Sequence, residues 1–245
     1  MTEWIAGSIT LFVAGMVQGC TGFGLALVAA PCLMLAMPPT MVVPLLVLMS
    51  TVNSMVVAFD ARRHIRPRLV IPLALGGVMG LPLGILALRA IDAQALKMGV
   101  GLFVAAFAGA LLAGWRKPVR NRPLTLVPVG MASGFLGGST SMGGPPAILF
   151  LANQGTPKDV FRGSIVCYFF TVNCFAIAMF ASRGMITTHT LGNAALIAPG
   201  MLLGTFVGVR LSRRVSEAGF RRIVMIGLLI MGIVLFATSL ASATT

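Results

Sequence analysis

Six stretches of this chain, 40–59, 69–88, 98–115, 163–182, 190–209 and 223–242, carry no charged residue. Each runs for about 18–20 positions, long enough as a helix to cross a hydrocarbon core of about 30 Å. No other feature limits the fold so strongly. Within lipid every backbone polar group must find its partner inside the chain, and uninterrupted helices meet that demand. Charged residues make up only 9% of the 245, too few to cover a soluble domain of this size. The expected fold class is an all-α polytopic membrane protein.

The net charge of +13 would suit nucleic acid, but its placement argues otherwise. Every Lys and Arg lies in or beside a connection between apolar runs, as topology signals and headgroup contacts do. The expected partners are the lipid bilayer and a small solute, with no nucleic acid. The chain opens "MTEW", with an acid and no basic residue, so its first apolar segment is expected to be retained rather than cleaved. Cys20, Cys32, Cys167 and Cys174 fall in apolar segments and lack metal or disulfide-framework spacing. They read as packing residues, and neither a metal nor a cofactor is expected. There is no Walker A sequence, no carboxylate at a span centre and no evident nucleophile–base pair, so an enzyme is not expected.

Between the apolar runs stands "GGSTSMGGPP", Gly137–Pro146. Four glycines, three hydroxyls and two prolines read as a broken helix at membrane depth. Such backbone is tolerated only where protein buries it or it lines a watery cavity. A second break is expected at "QGCTGFG", 18–24. Gly15, Gly19, Gly22 and Pro31 match Gly130, Gly134, Gly137 and Pro146 at an offset of 115. "TVN" at 51–53 recurs at 171–173, and Gly80 and Gly84 match Gly200 and Gly204, at an offset of 120. The chain therefore reads as one transport domain, 1–245, written twice. Repeat one covers about 4–113, a linker 114–123, and repeat two about 124–242.

Charge decides how the broken segments lie. If each crosses once, the two membrane faces carry nine Lys/Arg each. If each enters and returns on one side, the faces carry fifteen and three. Cytoplasmic loops hold the excess, so the second arrangement is expected. Each repeat is then a glycine-broken re-entrant helical hairpin plus three transmembrane helices, the repeats are inverted, and both termini are extracytoplasmic. The arms Leu124–Phe135 and Pro145–Gln154 are expected to be half-helices of about 15–18 Å.

Inverted repeats with discontinuous helices place a ligand where the repeats meet. Gly143 and Gly144 would let the backbone approach it, and the N-terminus of the helix starting at Pro145 would point free N–H groups inward. Ser139, Thr140 and Ser141 add hydroxyls, and Thr21, Gly22 and Gly24, with Gln18 before them, form the matching tip. Two such tips suit an anion without a buried cation. Close helix packing is the other reading of the glycines. It explains Gly15/Gly19, Gly130/Gly134, Gly80/Gly84 and Gly200/Gly204 well and the tip cluster poorly. Asn53 and Asn173 lie inside spans and must find partners. Ligand contact, interhelical bonding and support of the tips stand as three readings. "TPKD" at 156–159 reads as a helix start capped by Thr156. Arg162 either snorkels to the surface or draws anions towards the cytoplasmic vestibule.

The paired segments "QGCTGFGLALVAAP" and "SGFLGGSTSMGGPP" resemble the glycine-rich motifs of TauE/SafE-type membrane permeases, and the resemblance runs from about Gly15 to Gly232. It implies a transporter of sulfite, sulfonate or sulfoacetate in a bacterial-type inner membrane, often an exporter. A non-transport anchoring or assembly subunit is the alternative, against which the duplicated breaks and mid-span Asn residues argue. Substrate, direction, coupling ion and oligomeric state are not legible.

Overall fold

The computed structural model describes residues 2–33, 37–90 and 123–216, with scattered positions between 94 and 113 and between 218 and 237. Among these the chain is helical, without strands. The helices are α1 (Thr2–Thr21), α2 (Leu25–Leu33), α3 (Pro39–Ala61), α4 (Pro67–Ala90), α5 (Pro123–Thr140), α6 (Gly144–Asn153), α7 (Lys158–Ser182) and α8 (Thr188–Ser212). Four stretches, Thr40–His64, Pro67–Leu88, Lys158–Ser182 and Thr188–Ser212, are long and apolar enough to cross a membrane. They coincide with four of the six uncharged runs. The linker 114–123 lies, but for Pro123, outside the described residues, and the runs 98–115 and 223–242 are described only at scattered positions.

Helix starts follow local chemistry. Proline opens α3, α4 and α5, where its missing N–H costs nothing. Thr187 and Thr190 form a reciprocal capping box on α8. The cap expected from Thr156 is not made. Pro157 takes the cap position of α7 without a side-chain bond, and the Thr156 hydroxyl donates to the Leu151 carbonyl instead (2.9 Å). A hydroxyl beside a finished helix reaches that helix's orphan carbonyl more easily than the next helix's amides.

Two interfaces made of glycine hold the fold. On the α1–α8 side, a Cβ on Gly15, Gly19, Gly204 or Gly208 would run into the backbone carbonyl of Met201, Thr205, Phe12 or Met16 respectively. On the α4–α5 side, the same holds for Gly80, Gly84, Gly134 and Gly138 against Met131, Phe135, Gly77 and Leu81. Backbones that close need small residues on both faces. The packing reading is therefore right for these glycines. α3 and α7 pack on each other between the two interfaces, and each also contacts one glycine pair, α3 on α8 and α7 on α4.

The same contact pattern recurs at both interfaces. Gly15 and Gly19 meet the carbonyls of 201 and 205, as Gly134 and Gly138 meet those of 77 and 81. Gly204 and Gly208 correspond likewise to Gly80 and Gly84. With the two breaks 119 positions apart, at 22–24 and 141–143, the glycine contacts repeat at offsets of 119 and 124, where the sequence matches stood at 115 and 120. A ladder of glycines four apart matches itself after a shift of one helical turn, so the sequence could not choose between registers.

Candidate functional site

Both breaks are three residues long, 22–24 and 141–143. They share one hydrogen-bond pattern at the offset of 119. Gly22 N–H donates to the Gln18 carbonyl and Ser141 N–H to that of Gly137. The Thr21 hydroxyl lies 2.8 Å from the Val17 carbonyl and the Thr140 hydroxyl 2.7 Å from that of Leu136. Each hydroxyl oxygen then accepts the amide two residues on, Phe23 N–H at 3.3 Å and Met142 N–H at 3.2 Å. Left-handed backbone starts each turn, with φ of 87° at Gly22 and 61° at Ser141. The chain then turns back. A Cβ on Gly24 would meet the Val17 side chain at 2.8 Å, and one on Gly143 would meet the Ser133 carbonyl at 2.6 Å.

The arms differ from expectation. α5 continues to Thr140, 18 residues or about 27 Å, rather than ending near Phe135 at half the core. Gly138 faces the Leu81 carbonyl, and the Ser139 and Thr140 hydroxyls donate back to Phe135 and Leu136. Those residues stay helical because packing and back-bonding satisfy them there. The returning arms are short, nine residues in α2 and ten in α6.

The tips meet at a cavity of about 40 Å³, room for roughly three water-sized groups. Of the residues singled out in the sequence, Gln18, Gly24, Ser141, Gly143, Gly144 and Asn173 line it. Thr21, Gly22, Ser139, Thr140 and Asn53 do not. The three hydroxyls among them are turned to helix carbonyls. Gly22 lies under the side chains of Ile165, Val166 and Arg162. Asn53, fully buried, receives a 2.7 Å hydrogen bond from Thr205 of α8 at its Oδ1. It serves the α3–α8 interface.

Three groups at the cavity carried no sequence signal. The first is backbone. In α2 the first intrahelical bond is Val28 N–H to the Gly24 carbonyl. The amides of Leu25, Ala26 and Leu27 are therefore orphan donors, and all three residues line the cavity. α6 offers fewer donors, since Pro145 and Pro146 have no N–H. The second group is Ser50, which accepts a 3.2 Å bond from Asn173 Nδ2. The third is a relay: the buried Tyr168 hydroxyl bonds Ser133, whose hydroxyl donates to the Gly143 carbonyl. Gln18 ties the cavity to α3, donating from Nε2 to Ser54 Oγ at 3.1 Å. Its buried Oε1 has no hydrogen-bond partner among the described residues. Turned about, the same amide accepts the Ser54 proton through Oε1 and shows its NH₂ to the cavity.

Arg162 does not snorkel. It is 5% exposed, and its Nε and Nη2 donate to the Gly19 carbonyl (3.2 and 2.9 Å) at the end of α1. Its Nη1 pairs with Asp60 at 2.7 Å, and Asp60 also holds Arg213 of the α8 end at 2.7 Å. A cation on orphan C-terminal carbonyls suits the helix dipole, so the guanidinium fixes tip one to α3, α7 and α8. Among the described residues tip two has no such cation.

Searches of curated proteins and of solved structures returned no match. The model of the sulfite exporter TauE/SafE family matches residues 8–235. That span contains both breaks, both glycine interfaces and the cavity between the tips, so this all-helical membrane chain belongs to the sulfite exporter TauE/SafE family.

Proposed function

We propose that the chain moves a small oxyanion, sulfite or a sulfonate, outward across a bacterial-type inner membrane, with the ion passing between the two tips. The observation that carries this is the cavity itself. Residues from both halves line it, it is rich in hydrogen-bond donors, and no Lys or Arg lies among its lining residues. Stripping an anion of water costs tens of kcal/mol by a Born estimate. One helix end returns about 0.3–2 kcal/mol, and each hydrogen bond to a charged group about 1.5–3 kcal/mol. Binding thus needs the α2 amides, the Gln18 and Asn173 amides and the Ser141 hydroxyl together. Without a cation in contact the grip stays loose, which suits a carrier that must let go.

In this reading the two halves are inverted repeats and each broken pair is re-entrant, leaving both termini extracytoplasmic. The fifteen-to-three split of basic residues supports it. So does the exchange of partners, α1 with α8 and α5 with α4, that a two-fold relation produces.

The test is flux in proteoliposomes loaded with sulfite, a sulfonate or a carboxylate, for the wild type and Gly144→Val. A Cβ at Gly144 meets only the movable end of Ile148 (2.7 Å) and Phe169 (3.5 Å), so the variant is expected to fold. Its three added carbons would fill most of the cavity, and transport should stop. A folded Gly144→Val protein with normal flux would remove the tips from the pathway. A wild type that neither binds nor moves anions would leave the anchoring reading.

A further inference from the structure

Away from the tips, α3 and α8 diverge to leave a groove of about 1,090 Å³, a little larger than the roughly 300–1,000 Å³ of a usual small-molecule site. Its floor is apolar. Val52, Met55 and Phe59 come from α3, Phe206 and Val209 from α8, and Phe170 from α7. Its mouth is basic. Arg62, Arg63, Arg210 and Arg213 stand at the ends of two candidate spans, with Asp60 the one acid among them.

Two of the arginines are engaged. Arg213 pairs with Asp60, and the Arg62 guanidinium lies 4.6 Å over the Phe59 ring. Arg63 and Arg210 are exposed at the groove. Met55 and Phe59 beneath them are 65% and 70% exposed.

We infer that this groove is a binding site for an anionic phospholipid, its phosphodiester between Arg63 and Arg210 and its acyl chains along Met55, Phe59 and Phe206. Basic clusters over apolar clefts between spans fit such headgroups. Free phosphate would satisfy the arginines and leave the floor uncovered. A zwitterionic lipid brings an amine that repels the same arginines. A second copy of this chain, itself at net +13, would face arginine with arginine. The site shares no residue with the cavity between the tips and does not depend on the transport reading.

The experiment uses the purified full-length chain in detergent. Native mass spectrometry follows phosphatidylglycerol, phosphatidylethanolamine and inorganic phosphate as separate titrants. Phosphatidylglycerol should bind at least tenfold tighter than phosphatidylethanolamine. Arg63→Gln with Arg210→Gln should weaken it about 30-fold, at roughly fivefold per charge beside an anionic lipid. Met55→Trp, which fills the floor and keeps every arginine, should weaken it too. Equal binding of phosphatidylglycerol by wild type and both variants would overturn the site. So would phosphate competing fully with the lipid, or a dimer that the variants dissociate.

Discussion

The two tips share a backbone and differ in what holds them. Thr21–Gly24 and Thr140–Gly143 make the same three hydrogen bonds at the same spacing. Tip one hangs from a buried guanidinium shared with Asp60, and its returning helix starts with three free amides at the cavity. Tip two is tied by the neutral Ser133–Tyr168 relay, and its returning helix starts Gly144–Pro145–Pro146. The turn is thus the same at both tips while the surroundings differ. At the cavity, tip one presents the α2 start, Leu25, Ala26 and Leu27, and tip two presents Ser141. The charged brace belongs to tip one and is anchored to the C-terminal end of α1.

The sharpest way to break this comparison is to remove each brace. Arg162→Met leaves the buried Gly19 carbonyl and one Asp60 oxygen without their partner, so it should cost about 3 kcal/mol of stability. Ser133→Ala should cost about 1–2 kcal/mol, the penalty for an unmet buried carbonyl. Thermal unfolding in detergent measures both. Equal losses would mean that the braces are equivalent and the asymmetry is superficial.

A smaller effect is expected from exchanging donors. Ala26 stands where tip two has Pro145, and Ala26→Pro deletes one cavity amide at a helix start that tolerates proline. Sulfite affinity by calorimetry should fall about tenfold, the weight of one hydrogen bond to an anion. The thermal midpoint should change little. Pro145→Ala restores an amide at tip two and should tighten binding by less, as the hydroxyls already serve there. If Ala26→Pro binds normally, the α2 amides are not ligands.

The smallest effect concerns the turn itself. Ser141 holds φ of 61° with a side chain, where tip one uses glycine. Ser141→Gly should add about 1 kcal/mol of stability by removing that left-handed strain. Gly22→Ser should lose more than that, since its Cβ would come within 3.1 Å of the Ile165 and Val166 side chains. Paired unfolding curves decide it, and a destabilised Ser141→Gly would show that the hydroxyl outweighs the strain.

Much of the fold was legible because its causes are local. Uncharged length marks a span wherever it occurs, and the stretches 18–24 and Gly137–Pro146 marked where the helices break because clustered turn formers between apolar runs have few other uses. The arms were less legible. Gly137–Thr140 read as loop and is helix, since α4 supplies the surface on which Gly138 packs. Of the cavity lining, Gln18, Gly24, Ser141, Gly143, Gly144 and Asn173 were named in advance by type and depth. Leu25, Ala26 and Leu27 could not be, because their contribution is an amide that every residue but proline carries.

By itself the amino-acid order determined that this is a helical membrane chain with two breaks in its helices. Desolvation cost and backbone hydrogen bonding act residue by residue, so their record is in the order of types. Only the tertiary structure decided which turn of each glycine ladder meets which, since a ladder of period four is its own neighbour. It alone decided that Arg162 turns inward to Gly19 and Asp60, 143 and 102 positions away. It alone placed Ser50, Ser133 and Tyr168 around one cavity. A partner a hundred residues distant leaves no local trace, and a buried charge settles wherever folding brings it a carbonyl and a counter-ion.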